Sequence, residues 1–585
     1  MTDSFSDSSG YSQFTRRHLD LLGESSTESP LRVVALVDYD AFYAQCETVR
    51  LGLEPTEPLA VRQWNAVIAI NYPAREYGIK RGMSVEEVTR LCPTLTLQHV
   101  ATWREGDPKW AYRPDVIDHL TTDKAALDPY RIESRKTLKL VKDLLPSHPT
   151  QRIEKASVDE FFVDLSSQVY DILLQRFPEL SGLETYSDAR LPMPGLSSQP
   201  QWSPDELISN VGPVDDTEPS DWDEIALDVG AEIVRNIRKQ IKEKMKYTTS
   251  AGISHNKVLA KLASGYRKPN RQTIVRMRDT SSFLASYKAT KMLGLGGKLG
   301  AKLVETFGSD SIRDLLQVSH KDMVSSLGSE QGDWVFNVIR GHETSPVVRR
   351  TIAQSMLSAK TFTPFLQNVD EAERWLRIFA ADLQGRLDDV NEELDRPRRP
   401  KTIAVHHHIR GRFGPTRNKQ MTISPHTPIN QDTLFALSKA LLKKLDREEP
   451  SWPCMGISVS IGNFGENARQ GKSIASFFEA GTIRKRPLVE SQAGQTKVRK
   501  LDGLENGGGG QLGGNDSKDF DDNLDGEDFA EGGNVIPDKV SEGLDLPPGE
   551  KTSQYECPKC NSLVEAQDVL EHLDWHVALA LQKSL

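Results

Sequence analysis

Leu31-Arg-Val-Val-Ala-Leu-Val-Asp38-Tyr-Asp40 is an apolar, β-branched run that ends in two carboxylates. This composition predicts a buried strand, and alternation along it puts Asp38 and Asp40 on one side if the strand stays regular. A second such pattern, Arg152-Ile-Glu-Lys-Ala-Ser-Val-Asp159-Glu160-Phe-Phe-Val-Asp164-Leu165, carries an acidic pair between apolar residues. Buried carboxylates repel one another and lose hydration, and a divalent cation restores the lost stabilisation. Oxygen-only ligands favour Mg²⁺, which binds through a few carboxylates plus substrate phosphates. Acids that merely cap strands at solvent fit the spacing equally well.

Working outward, the chain has 585 residues, 37% of them hydrophobic, which is enough for several folded units. No stretch is long and apolar enough to cross a bilayer, so no membrane partner is expected, and the start lacks the hydrophobic centre of a secretion signal. Cys46, Cys92 and Cys454 are scattered, and only Cys557 and Cys560 pair as CxxC, so a reducing compartment is expected. The net charge of −10 is unevenly spread: residues 501–550 hold 14 acids against two Lys, and residues 166–224 hold 12 acids against two Arg. The remainder is therefore basic, which suits a polyanionic partner but is also ordinary for a solvated surface.

Along the chain, residues 1–30 are polar and Ser-rich and read as a disordered arm. Residues 66–70 read as a second apolar strand, and residues 166–224 as an irregular, acidic surface insertion. Gly294-Leu-Gly-Gly-Lys-Leu-Gly300 has neither GxGxxG nor P-loop spacing; between helices it suits a helix-hairpin-helix whose amides approach a phosphate, although glycines also simply turn chains. Helices at 371–387 and 433–445 with strands at 402–406 and 456–461 form a small α+β unit. Residues 483–550 read as a disordered linker.

The runs ALVDYDAFYAQCE (35–47), NYPAREYGIKRGM (71–83), KASVDEFFVDL (155–165) and SAGISHNKVLAKLASGYRKPNRQT (250–273) resemble the successive signatures of the Y-family translesion DNA polymerases, in the family's order and at comparable intervals. The likeness covers roughly residues 31–482 and 551–585. It implies a multidomain α+β fold: a right-hand polymerase with palm, fingers and thumb, plus an α+β little finger, a disordered linker and a small ββα zinc finger. Mapped onto this chain, the palm is 31–42 and 112–287 with the insertion 166–224, the fingers 43–111, the thumb 288–345, the little finger 346–482, the linker 483–550 and the zinc finger 551–585.

The resemblance also implies roles. Asp38, Asp159 and Glu160 would hold two Mg²⁺ ions, with the Tyr39 carbonyl helping. Neighbouring residues of a straight strand point to opposite faces, so Asp159 and Glu160 can both serve only if the backbone turns or bulges there. Asp40 and Asp164 remain structural. Tyr72, Arg75 and Lys268 would contact the triphosphate, Tyr43 would exclude the ribose 2′-hydroxyl, and Gln63 and Arg81 would contact the templating base and incoming nucleotide. Read without the family, Arg75 and Lys268 are ordinary surface cations and Tyr43 a core aromatic. Small residues at Ala66, Ala69, Ala74 and Gly82 are consistent with a roomy site. Arg349, Arg350, Lys360, Lys401, Arg410, Arg412, Arg417 and Lys419 could track a duplex backbone. His406 to His408 lack a completing ligand and are not read as a metal site.

Cys557-Pro-Lys-Cys560 followed by His572 and His576 is the most specific local motif: two Cys and two His on a turn and a helix satisfy one tetrahedral structural Zn²⁺. Acids at Glu565, Asp568, Glu571 and Asp574 disfavour a nucleic-acid ligand for this helix and favour a protein one. The sequence EHLDWHVALALQ resembles a ubiquitin-binding zinc finger, with Asp574 and Ala578 as its ubiquitin contacts, which implies recruitment to a ubiquitinated sliding clamp. Basic clusters at 484–486 and 497–500 read as a bipartite nuclear localisation signal or as solubilising charge. The expected protein is a nuclear, monomeric enzyme whose partners are primer-template DNA, dNTP, ubiquitin and the clamp. The alternatives are another Y-family branch, kappa- or iota-like, and a non-catalytic scaffold binding DNA and ubiquitin.

Overall fold

A computed structural model describes residues 10–146, 151–195, 200, 220–349, 353–394, 397–409, 416–448, 452–466, 554–556 and 563–565. At its centre lies a five-stranded sheet in the order Gln272–Ile274, Thr249–Ser254, Val34–Tyr39, Glu160–Asp164, Arg152–Lys155, antiparallel except for the first pair. Val34–Tyr39 is central because its residues are apolar on both faces, which only a strand covered on both sides can afford. Val33, Ala35, Val37 and Tyr39 join the core formed with the helices Asp128–Leu144 and Trp222–Met245. Val34 and Leu36 face the other way, against Phe162, Ala260 and Val347. By the same alternation Asp38 and Glu160 fall on that second face.

The helix Lys257–Tyr266 covers the second face closely. Gly252 makes this possible: a Cβ there would stand 2.0 Å from the Ala260 carbonyl and 2.4 Å from the Ser264 nitrogen. Beside this helix runs the segment 345–348. Its Ser345 carbonyl accepts from Arg32 Nη2 at 3.0 Å, Val347 is buried, and the Val348 N–H donates to Glu154 at 2.9 Å. Glu154 also receives Lys257 Nζ at 2.9 Å, and buried Arg32 pairs with Asp164 at 3.4 Å.

Three further bodies surround the sheet. A three-stranded sheet, Ala66–Ile70, Leu59–Gln63, Thr96–His99, packs on its own small core of Ala60, Val67, Ile70, Ala74, Ile79, Val88 and Cys92. Short helices build the next, including Lys298–Phe307 and Ser329–Val338; there a Cβ on Gly300 would fall 1.8 Å from the Leu295 carbonyl. The last is a four-stranded antiparallel sheet, Ser355–Leu366, Cys454–Gly462, Thr402–Ile409, Thr416–Thr422, with helices Val369–Glu392 and Gln431–Glu448. A ribbon of Ala101–Trp103 and Lys124–Ala126 ties it to the rest, since Ala101, Trp103 and Ala126 lie in its core. Lys124 and Asp382 form a buried ion pair at 3.0 Å, and Arg386 bridges Asp382 and Asp128. In a separate compact unit near the end of the chain, Gln554–Glu556 pairs antiparallel with Leu563–Glu565.

The structure corrects the sequence expectation in two places. Within the supposedly disordered arm 1–30, Tyr11–Thr15 is a strand and Arg16–Gly23 a capped helix. The supposedly irregular insertion 166–224 contains the helix Ser166–Arg176 and the strand Arg190–Pro192, which pairs with Tyr11–Thr15. Each segment is too polar to fold alone, but together they bury Phe14, Leu19, Leu22, Leu180, Leu191 and Trp222 in the main core. Arg16 donates to the Leu180 carbonyl at 2.5 Å and pairs with Asp20 at 2.8 Å, while the Tyr186 N–H donates to Asp20 at 2.7 Å. Residues 1–9, 196–199 and 201–219, and the linker 483–550, lie outside the described residues.

Leu19→Ala and Leu22→Ala will therefore each lower unfolding free energy by about 2–5 kcal/mol in urea titration, the usual cost of a core Leu. Substitutions in a disordered arm would leave the midpoint unchanged.

Candidate active site

The three carboxylates meet at one end of the central sheet. Asp38 and Glu160 are direct cross-strand partners, and the Tyr39 N–H donates to the Asp159 carbonyl at 2.9 Å. The backbone turns ahead of Glu160: the N–H groups of Ala156 and Ser157 both donate to the Glu160 carbonyl at 3.1 Å. Asp159 thus stands on a turn rather than within the strand, where its carboxylate accepts from the Ser157 hydroxyl. This turn lets adjacent acids serve one place, which a straight strand forbids.

Ammonium groups stand against these acids. Lys268 Nζ donates to Asp38 and, at 3.3 Å, to the Tyr39 carbonyl, while Lys261 Nζ pairs with Glu160. Burial raises the Asp38 pKa to about 6; Lys268 opposes the rise, and Glu160 and Asp159 add to it. Among the described residues no three His, Cys, Asp or Glu side chains form a ready-made metal cage. The donor set nevertheless fits Mg²⁺: all its atoms are oxygens, and cations already occupy positions beside Asp38, the Tyr39 carbonyl and Glu160.

Asp40 and Asp164 are buried and engaged otherwise. Asp40 accepts from Ser250 Oγ at 2.6 Å and from the Asn270 N–H at 2.8 Å, which fixes the loop that carries Lys268. Asp164 takes Arg32 and the Ser166 N–H.

The other candidates lie on neighbouring elements. Tyr43 is the second residue of the helix Phe42–Leu51, which follows a left-handed Ala41, and its ring stacks on Tyr130 with centroids 4.1 Å apart. Tyr72 and Arg75 lie on the helix Tyr72–Glu76, capped by Asn71, with the Arg75 guanidinium 4.3 Å from the Tyr72 ring. The Tyr72 pKa is raised by burial first and then by Asp40, with Asp38 contributing, so its hydroxyl lies within electrostatic reach of the acidic end. Gln63 ends its strand half-buried, and Arg81 is exposed on a turn whose Gly82 N–H donates to the Val67 carbonyl at 2.8 Å. Sequence reasoning missed Lys257 and Lys261; their spacing of four along a helix, within an already recognised motif, was the available signal. Cys557, Cys560, His572, His576, Asp574 and Ala578 lie outside the described residues, as do Arg350, Arg410 and Arg412.

Comparison with known proteins finds likeness along most of the chain. Residues 37–265 match the impB/mucB/samB family, residues 353–473 that family's C-terminal domain, residues 289–342 the DNApol eta/Rev1 HhH motif, and residues 553–584 the ubiquitin-binding zinc finger. The chain is 33% identical to the N-acetyltransferase eso1 of Schizosaccharomyces pombe over 98% of its own length and 65% of that protein's. It is 28% identical to DNA polymerase eta of Saccharomyces cerevisiae, covering 77% of this chain and 80% of the relative, and 28% identical to DNA polymerase eta of Arabidopsis thaliana, covering 80% and 67%.

Because the folded protein holds a proton on Asp38 up to about pH 6 that the unfolded chain releases near its ordinary value, stability conferred by this group falls as pH rises through that window. In metal-free protein Asp38→Asn will be more stable than the parent at pH 7.5 by up to about 3 kcal/mol. The advantage shrinks toward pH 4.5, read by urea unfolding in EDTA; equal differences at both pH values would contradict it.

Proposed function

Since the chain belongs to the impB/mucB/samB family and is homologous to the DNA polymerase eta of several eukaryotes, we propose that it extends a primer 3′-hydroxyl with deoxynucleotides opposite damaged template bases, ultraviolet pyrimidine dimers among them. The observation that carries this reading is the convergence of Asp38, Asp159 and Glu160 at one sheet end. Asp38, Asp159, Glu160 and the Tyr39 carbonyl would hold two Mg²⁺ ions, which supply activation of the primer hydroxyl and neutralisation of the leaving pyrophosphate. Lys268, released when Asp38 is engaged elsewhere, presents its ammonium to the triphosphate together with the Arg75 fork and the Tyr72 hydroxyl. Tyr43, braced by its stack on Tyr130, occupies the space a ribose 2′-hydroxyl needs. Gln63 and Arg81 meet the templating base and the incoming nucleotide.

The terminal zinc finger would bind ubiquitin through Asp574 and Ala578, with one Zn²⁺ held by Cys557, Cys560, His572 and His576. This recruits the enzyme, as a monomer in the nucleus, to a ubiquitinated sliding clamp at stalled replication forks.

With Mg²⁺ the protein will extend primers on undamaged and dimer-containing templates. Asp159→Ala combined with Glu160→Ala will lower kcat about a thousandfold or more while leaving primer-template affinity largely intact. Stalling at the dimer would favour a kappa- or iota-like enzyme, and absence of extension a scaffold. Cys557→Ala will abolish ubiquitin capture in a pull-down without changing the extension rate on naked templates.

A further inference from the structure

Immediately after Gln63, Trp64 takes φ 56°, a left-handed conformation that a bulky residue keeps only where its surroundings hold it. Its N–H donates to His99 Nε2 at 2.8 Å, and its ring centroid lies 5.1 Å from that imidazole. Burial lowers the His99 pKa to about 4, so the ring is neutral; its Nδ1 faces the Val100 carbonyl at 2.7 Å and its Nε2 is free to accept. Trp64 also packs against the main core, and a further contact comes from a distant part of the chain. Lys360, on the strand Ser355–Leu366, sets its ammonium 4.5 Å from the Trp64 centroid and 5.0 Å from that of Trp375.

Lys360 also donates to the carbonyls of Asp123 at 2.8 Å and Leu120 at 3.3 Å. Burial, reinforced by Lys124, lowers its pKa to about 8, as expected of an ammonium largely withdrawn from water. Such desolvation strengthens attraction between a cation and aromatic faces. Docking of the four-stranded domain is also carried by Lys124–Asp382, Arg386–Asp128 and the buried Trp103. Besides these carbonyls and Trp375, Lys360 holds the side chain of Trp64, next to Gln63.

We propose that Lys360 is a positioning residue for template reading: gripping Trp64 from the little finger, it fixes the hairpin backbone that aims Gln63 at the templating base. This rests on the role proposed above for Gln63.

The test is single-nucleotide insertion by the full chain, comparing kcat/KM for matched and mismatched deoxynucleotides in Lys360→Met, Lys360→Arg, Trp375→Leu and Gln63→Ala. Lys360→Met should lower the matched-to-mismatched ratio about fivefold, the scale of one cation–aromatic contact, with thermal midpoint and primer-template Kd nearly unchanged. Lys360→Arg should restore the ratio, and Trp375→Leu should lower it about twofold, which keeps the proposal falsifiable should Lys360→Met misfold. A Gln63→Ala effect without a Lys360→Met effect overturns the role of Lys360 alone. No effect from Gln63→Ala overturns the template-reading role with it. A uniform fall in matched and mismatched insertion alongside a lower midpoint makes Lys360 merely structural and overturns the proposal.

Discussion

Like charges brought together at the end of an apolar sheet are the constraint on which the rest depends. Asp38 is drawn to this place because Val34 and Leu36 must be buried on the same face, and Glu160 because it pairs across from it. Neither position is chosen by the acid itself; hydrophobic burial fixes the register, and a slip of one residue would turn both acids to the opposite face. The sheet therefore determines the geometry, and its immediate surroundings must tolerate the charge. They do so through Lys261 and Lys268, both carried by the segment that follows Gly252.

Much of this was legible in the chain. The apolar runs ending in Asp38 and flanking Asp159-Glu160 predicted two strands, and the need for a turn at Asp159-Glu160 followed from alternation once the resemblance made both acids ligands. The contacts among Lys261, Glu160, Asp40 and Asn270 were not legible, because they join residues 101 and 230 positions apart and depend on how closely a helix approaches the sheet. The same holds for Trp64 and Lys360. Pattern reading finds elements, whereas side-chain pairs across elements are a property of packing.

The arm and the insertion fail in an instructive direction. Composition judged each by its own content and found too little apolar surface to order it. Phe14 and Leu191 become buried only because the two segments, separated by well over a hundred residues, supply each other's cover. Low local hydrophobicity is therefore a weak argument for disorder when a second polar segment of similar length exists elsewhere.

The two ammonium groups at the acidic end carry one more implication. Lys261 and Lys268 pair with Glu160 and Asp38, so any cation that approaches these acids competes with a tethered ammonium for the same oxygens.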